Sequence, residues 1–234
     1  MSAKLFDQIR GGLVVSCQTG DNPAFSEAPL MAHFARAAVL GGAVAIRSEG
    51  REEIAAIKAA VPHPLIGLMK GHFEDGSVRI TREENEIETL CELAVDVIAV
   101  DATARSWQGK KGPAWIGRVK ELTNTPVMAD IATLEEGLAA LKAGADCLST
   151  TLSGYTPETA DLISEGPDLR LLQDLVKQTD RPVFAEGHYN RPEDVRTALE
   201  LGAWAVVVGS AITRPHLITA RFATATRREQ KVDP

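Results

Sequence analysis

The chain has 234 residues, 44% of them hydrophobic, enough for one substantial core, and α/β barrels of this size commonly form one domain. Twenty-five basic against 32 acidic residues give a formal net charge of −7 with no basic run, which argues against nucleic acid as a partner. The opening MSAKLFDQIRGG has no long apolar stretch behind a positive start, runs such as AVVV at 205–208 fall far short of a membrane span, and Cys17, Cys91 and Cys147 share no CxxC spacing; no signal peptide, no membrane contact and a reduced cytoplasmic setting are expected.

In chain order, a short helix is expected over 2–10. Eight β-branched runs follow: GLVVSCQ (12–18), GAVAIR (42–47), PLIGLMK (64–70), VDVIAVDAT (95–103), PVMADI (126–131), DCLSTT (146–151), RPVFAEG (181–187) and AWAVVVGS (203–210). Ala/Leu/Glu-rich segments with helical spacing separate them. One opens on Thr133 with Glu136 three residues on, a capping-box pattern. Another has Pro192 at its start and Gly202 at its end. Strands spaced by helices need parallel pairing with crossovers. Eight units in this length predict a (β/α)8 TIM barrel, a single domain over 1–234. An open doubly wound sheet is the alternative, but no GxGxxG follows the first strand.

Barrel active sites gather at the C-terminal ends of the strands. Polar residues stand there in this sequence: Gln18, Arg47, Lys70, Asp101, Asp130, Thr150 and Glu186. Several such strands converge charges on one space, against the bland reading of an ion-pair network in the barrel mouth. Alternation then places Ile66 and Leu68 below Lys70, Phe184 below Glu186, Met128 below Asp130, Ala45 below Arg47 and Ser16 below Gln18. Cys17 points outward, and Cys91 and Cys147 read as core packing.

VVVGSAITRP (206–215) reads as a strand, a Gly-Ser turn and a short helix. Gly187, Gly209 and Ser210 would let backbone N–H groups approach a phosphate, with Arg214 adding a bidentate contact. Tyr155 in SGYTP either leans on a loop or touches substrate. GHFEDGSVRITREENE (71–86) reads as a polar excursion and a candidate lid. Lys110 and Lys111 read as solvated. The five histidines show no HxH or HxxxH spacing, so no metal is expected, and no cofactor.

A Lys can serve as base if burial or a nearby cation favours its neutral form, and Arg47 is the candidate cation. Arg47 and Gln18 are candidate donors to a developing oxyanion. Asp130 would hold Lys70 or a substrate hydroxyl.

GGLVVSCQ, GAVAIR, PLIGLMK, DVIAVDAT, TTLSGYT, VFAEGHYN and VVVGSAITRP, in this order over nearly the whole chain, resemble the N-acetylmannosamine-6-phosphate 2-epimerase family. The resemblance implies reversible conversion of N-acetylmannosamine 6-phosphate to N-acetylglucosamine 6-phosphate in sialic acid and amino-sugar catabolism, without a redox cofactor. It implies Lys70 as acid/base, Glu186 as catalytic carboxylate, Gln18, Arg47 and Asp130 as active-site polar residues, and Arg214 as phosphate ligand. Two positions depart from the family pattern: Gly71-His72 where an Arg-Asp pair is usual, and His188 where Arg is usual. A Schiff-base aldolase and a non-catalytic sugar-phosphate-binding barrel are the competing readings, and a homodimer is a candidate assembly.

Overall fold

A computed structural model describes residues 2–18, 27–164 and 166–226; the expected 1–234 range runs past these at both ends. The elements are α1 (Ser2–Ile9), β1 (Leu13–Cys17), α2 (Ala28–Leu40), β2 (Ala45–Glu49), α3 (Arg51–Ala60), β3 (Leu65–Leu68), β4 (Lys70–His72), β5 (Val78–Ile80), α4 (Glu84–Glu92) and β6 (Val97–Asp101). They continue with α5 (Gly112–Leu122), β7 (Val127–Asp130), α6 (Leu134–Lys142), β8 (Cys147–Ser149), α7 (Leu169–Gln178), β9 (Val183–Glu186), α8 (Pro192–Glu200), β10 (Ala205–Val208), α9 (Ser210–Thr213) and α10 (Pro215–Ala225). Eight strands close a parallel barrel in the order β1-β10-β9-β8-β7-β6-β3-β2, while β4 and β5 pair as a separate hairpin. The fold is the (β/α)8 TIM barrel.

Strand alternation divides the apolar side chains into two cores. Val14, Ala45, Ile66, Leu68, Val97, Ala99, Met128, Cys147, Phe184, Ala205 and Val207 point inward and fill the barrel. Val15, Cys17, Ile46, Leu65, Ile98, Val100, Ala129, Leu148 and Val206 point outward and pack against the helices. The inward partners expected for Lys70, Glu186, Asp130 and Arg47 all lie in the interior set, and Cys17 lies outside it, where burial pushes its thiol up to about 12. Cys91 is the exception: it is exposed at the end of α4 and reaches Thr123, because that helix turns Ile87 and Leu90 to the core instead.

Helix α1 closes the N-terminal end of the barrel. Phe6 and Ile9 enter the interior core, and Phe6 meets Phe184 edge-on at 6.2 Å. Trp204 Nε1 donates to the Phe6 carbonyl at 2.8 Å. Two later helices start where their sequences say. Thr133 and Glu136 form the reciprocal cap of α6, and α8 begins on Pro192.

The strands end differently from the sequence expectation at two places that matter. β2 runs on past Arg47 to Glu49, because Glu49 still pairs in register with Leu68 of β3. β3 stops at Leu68, and Lys70 opens the hairpin, paired with Ile80. Met69 explains the break: its N–H donates to Thr81 Oγ1 and its carbonyl accepts from Thr81 N–H, so it closes the hairpin base instead of extending the barrel. The polar excursion after Lys70 is therefore a paired β-hairpin. It is tied to the loop after β6, with Arg79 4.5 Å over Trp107, Arg105 4.4 Å over Phe73, and Phe73 meeting Trp107 edge-on.

Candidate active site

The C-terminal mouth of the barrel holds a cavity of about 560 Å³. Of the residues singled out from sequence, Gln18, Arg47, Lys70, Tyr155, Glu186, Gly187, Gly209, Ser210 and Arg214 line it. Asp130 does not line it. It is fully buried beneath Arg47, because the guanidinium that reaches over from β2 covers it.

Arg47 is the hub of this floor. Its Nη1 and Nη2 donate to Asp130 Oδ1 and Oδ2 at 3.0 and 2.6 Å, a bidentate geometry that suits guanidinium and carboxylate. Nη1 also lies 3.0 Å from Glu186 Oε2. The cation expected beside Lys70 is thus engaged by two carboxylates, and Lys70 Nζ lies 2.9 Å from Glu49 Oε2 instead. Asp130, expected to hold Lys70 or a hydroxyl, holds Arg47.

Around Glu186 the hydroxyls of Ser149 and Thr151 complete a network. Thr151 Oγ1 is 2.8 Å from Asp130 Oδ1, 2.8 Å from Ser149 Oγ and 3.0 Å from Glu186 Oε2. A hydroxyl has one proton, so Thr151 donates to one of these at a time. Burial raises the Glu186 pKa above the ordinary carboxylate value. Arg47 opposes that rise, and the neighbouring Asp130 charge adds to it. Among the described residues lining the cavity, Glu186 is the carboxyl that burial inclines to hold a proton.

Thr150 and Asp101 are not part of the converging set. Thr150 turns away from the cavity and bonds the backbone of Glu186 through both its donor and acceptor roles. Alternation along β8 puts Ser149 and Thr151 inward in its place. Asp101 is fully buried, accepting from Thr103 and Arg105, and stiffens the loop that braces the hairpin.

The far side of the cavity carries the residues expected to meet a phosphate. Gly187 sits at φ +100 between β9 and α8, and Gly209 leads into α9. A side chain at 209 would crowd Ser16, whose Cβ lies 3.3 Å from where a Cβ would be built. Arg214 closes this end. Tyr155 and His188 stack face to face, centroids 4.8 Å apart and 12° from parallel. His188 takes φ +61, and burial lowers its pKa. At the other departure from the family pattern, the guanidinium of Arg79 occupies the space a side chain at Gly71 would fill.

Glu49, Ser149 and Thr151 escaped the sequence reading. Glu49 carried a usable signal, since it is two residues beyond Arg47 and so shares its face.

A closed parallel barrel whose C-terminal mouth holds a polar cavity lined by Lys70, Glu186 and Arg214 defines a TIM-barrel protein with a pocket at the usual place for this fold. The family model described as "Putative N-acetylmannosamine-6-phosphate epimerase" (NanE) matches residues 31–228. The chain belongs to this N-acetylmannosamine-6-phosphate epimerase family. Relatives named "Putative N-acetylmannosamine-6-phosphate 2-epimerase" include one from Caldanaerobacter subterraneus subsp. tengcongensis, 45% identical over 226 residues, covering 96% of this chain and 94% of that protein. Another, from Clostridioides difficile, is 42% identical over 221 residues, covering 94% and 98%. The solved N-acetylmannosamine-6-phosphate 2-epimerase from Clostridium perfringens superposes with a TM-score of 0.87 at 41% identity, covering 94% of this chain and 95% of that one.

Proposed function

We propose that this barrel interconverts N-acetylmannosamine 6-phosphate and N-acetylglucosamine 6-phosphate by moving a proton at C2, as a cytoplasmic enzyme of sialic acid and amino-sugar catabolism. Family membership supports the substrate, and one geometric observation carries the mechanism. Lys70 follows β3 and Glu186 ends β9, and these strands are four steps apart around the eight-strand barrel in either direction. The two groups enter one cavity from opposite sides, which is what inversion at a single carbon asks for.

With the sugar open-chain, C2 lies beside the C1 carbonyl and its hydrogen is acidic. The Lys70 amine takes that proton, the C2–H electron pair moves into an enolate, and Glu186 returns a proton to the opposite face. The Lys70 and Glu186 roles exchange in the reverse direction. Gln18 is the donor with freedom to meet the enolate oxygen, since Arg47 is held by Asp130 and Glu186. The backbone at Gly187, Gly209 and Ser210, together with Arg214, binds the phosphate, and that remote binding holds C2 in place. Tyr155 lines the wall where the sugar lies. The reaction as drawn needs no metal and no redox cofactor.

Proton NMR of either sugar phosphate in heavy water tests this. The expected result is loss of the C2 proton signal together with appearance of the second epimer. No exchange and no second epimer with either sugar overturns the assignment.

We also propose a homodimer. Helix α10 has no buried residue and exposes Leu217 and Phe222, apolar side chains that a second copy would cover. Light scattering giving the monomer mass at micromolar concentration would refute it.

A further inference from the structure

Lys70 does not grow from the barrel wall. It stands on the first arm of the hairpin, paired with Ile80, and its side chain is 30% exposed. Four rotatable bonds separate its backbone from Nζ, so the backbone alone leaves the amine many positions.

The group that meets Nζ is Glu49. Its Oε2 lies 2.9 Å away. Glu49 ends β2 on the same face as Ala45 and Arg47, in register with Leu68 of the neighbouring strand. It is buried and does not line the cavity, whereas Lys70 and Glu186 do. Glu49 therefore reaches Lys70 from the side of the barrel frame. Arg47, two residues earlier, is committed to Asp130 and Glu186, so the two charged residues of β2 serve opposite walls of the site.

We propose that Glu49 is the positioning residue for Lys70: it anchors the amine to the rigid end of β2 and so holds it toward the reacting carbon. It acts through Lys70 and touches no substrate atom. The proposal rests on Lys70 being the base, as read above. Catalysis by a positioned group is steep in distance, and a 1 Å misplacement costs about 100-fold.

Two substitutions and two measurements test it. Glu49→Gln keeps the size and removes the charge; Glu49→Asp keeps the charge one methylene short. Glu49→Gln should lower kcat about 10–100-fold with KM unchanged and the melting temperature close to wild type, and Glu49→Asp should recover part of the loss. Independently of substrate, an amine-selective acylating ester followed by peptide mass spectrometry reads the lysines one by one. Lys70 in Glu49→Gln should acylate faster than in wild type, measured against the exposed Lys4 and Lys142. Wild-type kcat in Glu49→Gln overturns the proposal, as does an unchanged Lys70 acylation rate. A raised KM at constant kcat also overturns it, because that places Glu49 on the substrate. If wild type turns over neither sugar phosphate, the functional reading fails; the acylation ratio still decides whether Glu49 holds Lys70.

Discussion

Arg47 on β2 grips Asp130 on β7 with two parallel contacts of 3.0 and 2.6 Å, reaching three strands around the barrel with neither side chain open to solvent. The pair joins two walls of the mouth through its floor. Breaking a buried pair by removing one partner leaves the other charge stranded, at a cost of about 3–5 kcal/mol. Arg47→Ala should therefore destabilise the barrel by about that much, read from urea unfolding midpoints. Arg47→Met combined with Asp130→Leu should regain part of it, since apolar replacement of both partners removes the desolvation cost. A double variant no more stable than Arg47→Ala would show that the pair is not what Arg47 supplies.

Lys70→Ala should fold, because the side chain stands on a hairpin arm outside both cores. It should lose epimerisation and C2 exchange together, by at least the 10²–10⁴-fold that positioned acid–base groups contribute (about, in order of magnitude). Glu186→Gln should lose inversion and keep some wash-out of C2 hydrogen into solvent, as expected if it serves the face opposite Lys70. Wild-type exchange in Lys70→Ala would remove Lys70 as the base. Borohydride treatment with substrate should give no stable adduct on Lys70, and a trapped adduct would instead indicate a Schiff base.

Arg214→Ala should raise KM and lower kcat to a lesser degree, since binding energy at the phosphate is partly used to orient C2. Unphosphorylated N-acetylmannosamine should be a poor substrate for the wild type. Equal kcat/KM for the two sugars would mean that the rim around Gly187, Gly209 and Arg214 does not bind a phosphate.

Glu186 gives stability a pH signature. Its folded pKa is raised by burial, so between the ordinary carboxylate value and the raised one the folded state keeps a proton that the unfolded chain has lost. Stability must fall as pH rises through that window, and the effect vanishes below both values, where the carboxyl is protonated in either state. Glu186→Gln cannot titrate, so the melting temperature should gain most over wild type above the window and least below it. A difference independent of pH would contradict the burial effect.

The inward face of the barrel was legible because period-two alternation is a local property. Ile66, Leu68, Met128 and Phe184 could be assigned from their neighbours alone. Glycine at 187 and 209 has separate local reasons: Gly187 takes φ +100, and a Cβ at 209 would crowd Ser16. What the sequence hid were choices made between segments. Lys70 looked like a strand end because nothing in PLIGLMK announces that Met69 will pair with Thr81, twelve residues on. Asp130 looked like a substrate ligand because the reach of Arg47 across three strands has no sequence signature. Thr150 and Thr151 are both threonines, and which one faces the carboxylates depends on where the three-residue β8 begins.

Pairing of β1 with β10, Leu13 against Val206 through Val15 against Val208, together with the Trp204–Phe6 bond across 198 positions of sequence, has a consequence for biosynthesis. The first strand synthesised waits for the last. Until residue 208 has left the ribosome, β1 offers an open edge, and the Phe6 and Ile9 side chains meet an incomplete interior. Contacts this distant in sequence come late in folding, because the intervening loop entropy must be overcome before they reward the chain. During translation the nascent barrel is thus an unsealed, edge-exposed sheet until its eighth strand emerges and closes it.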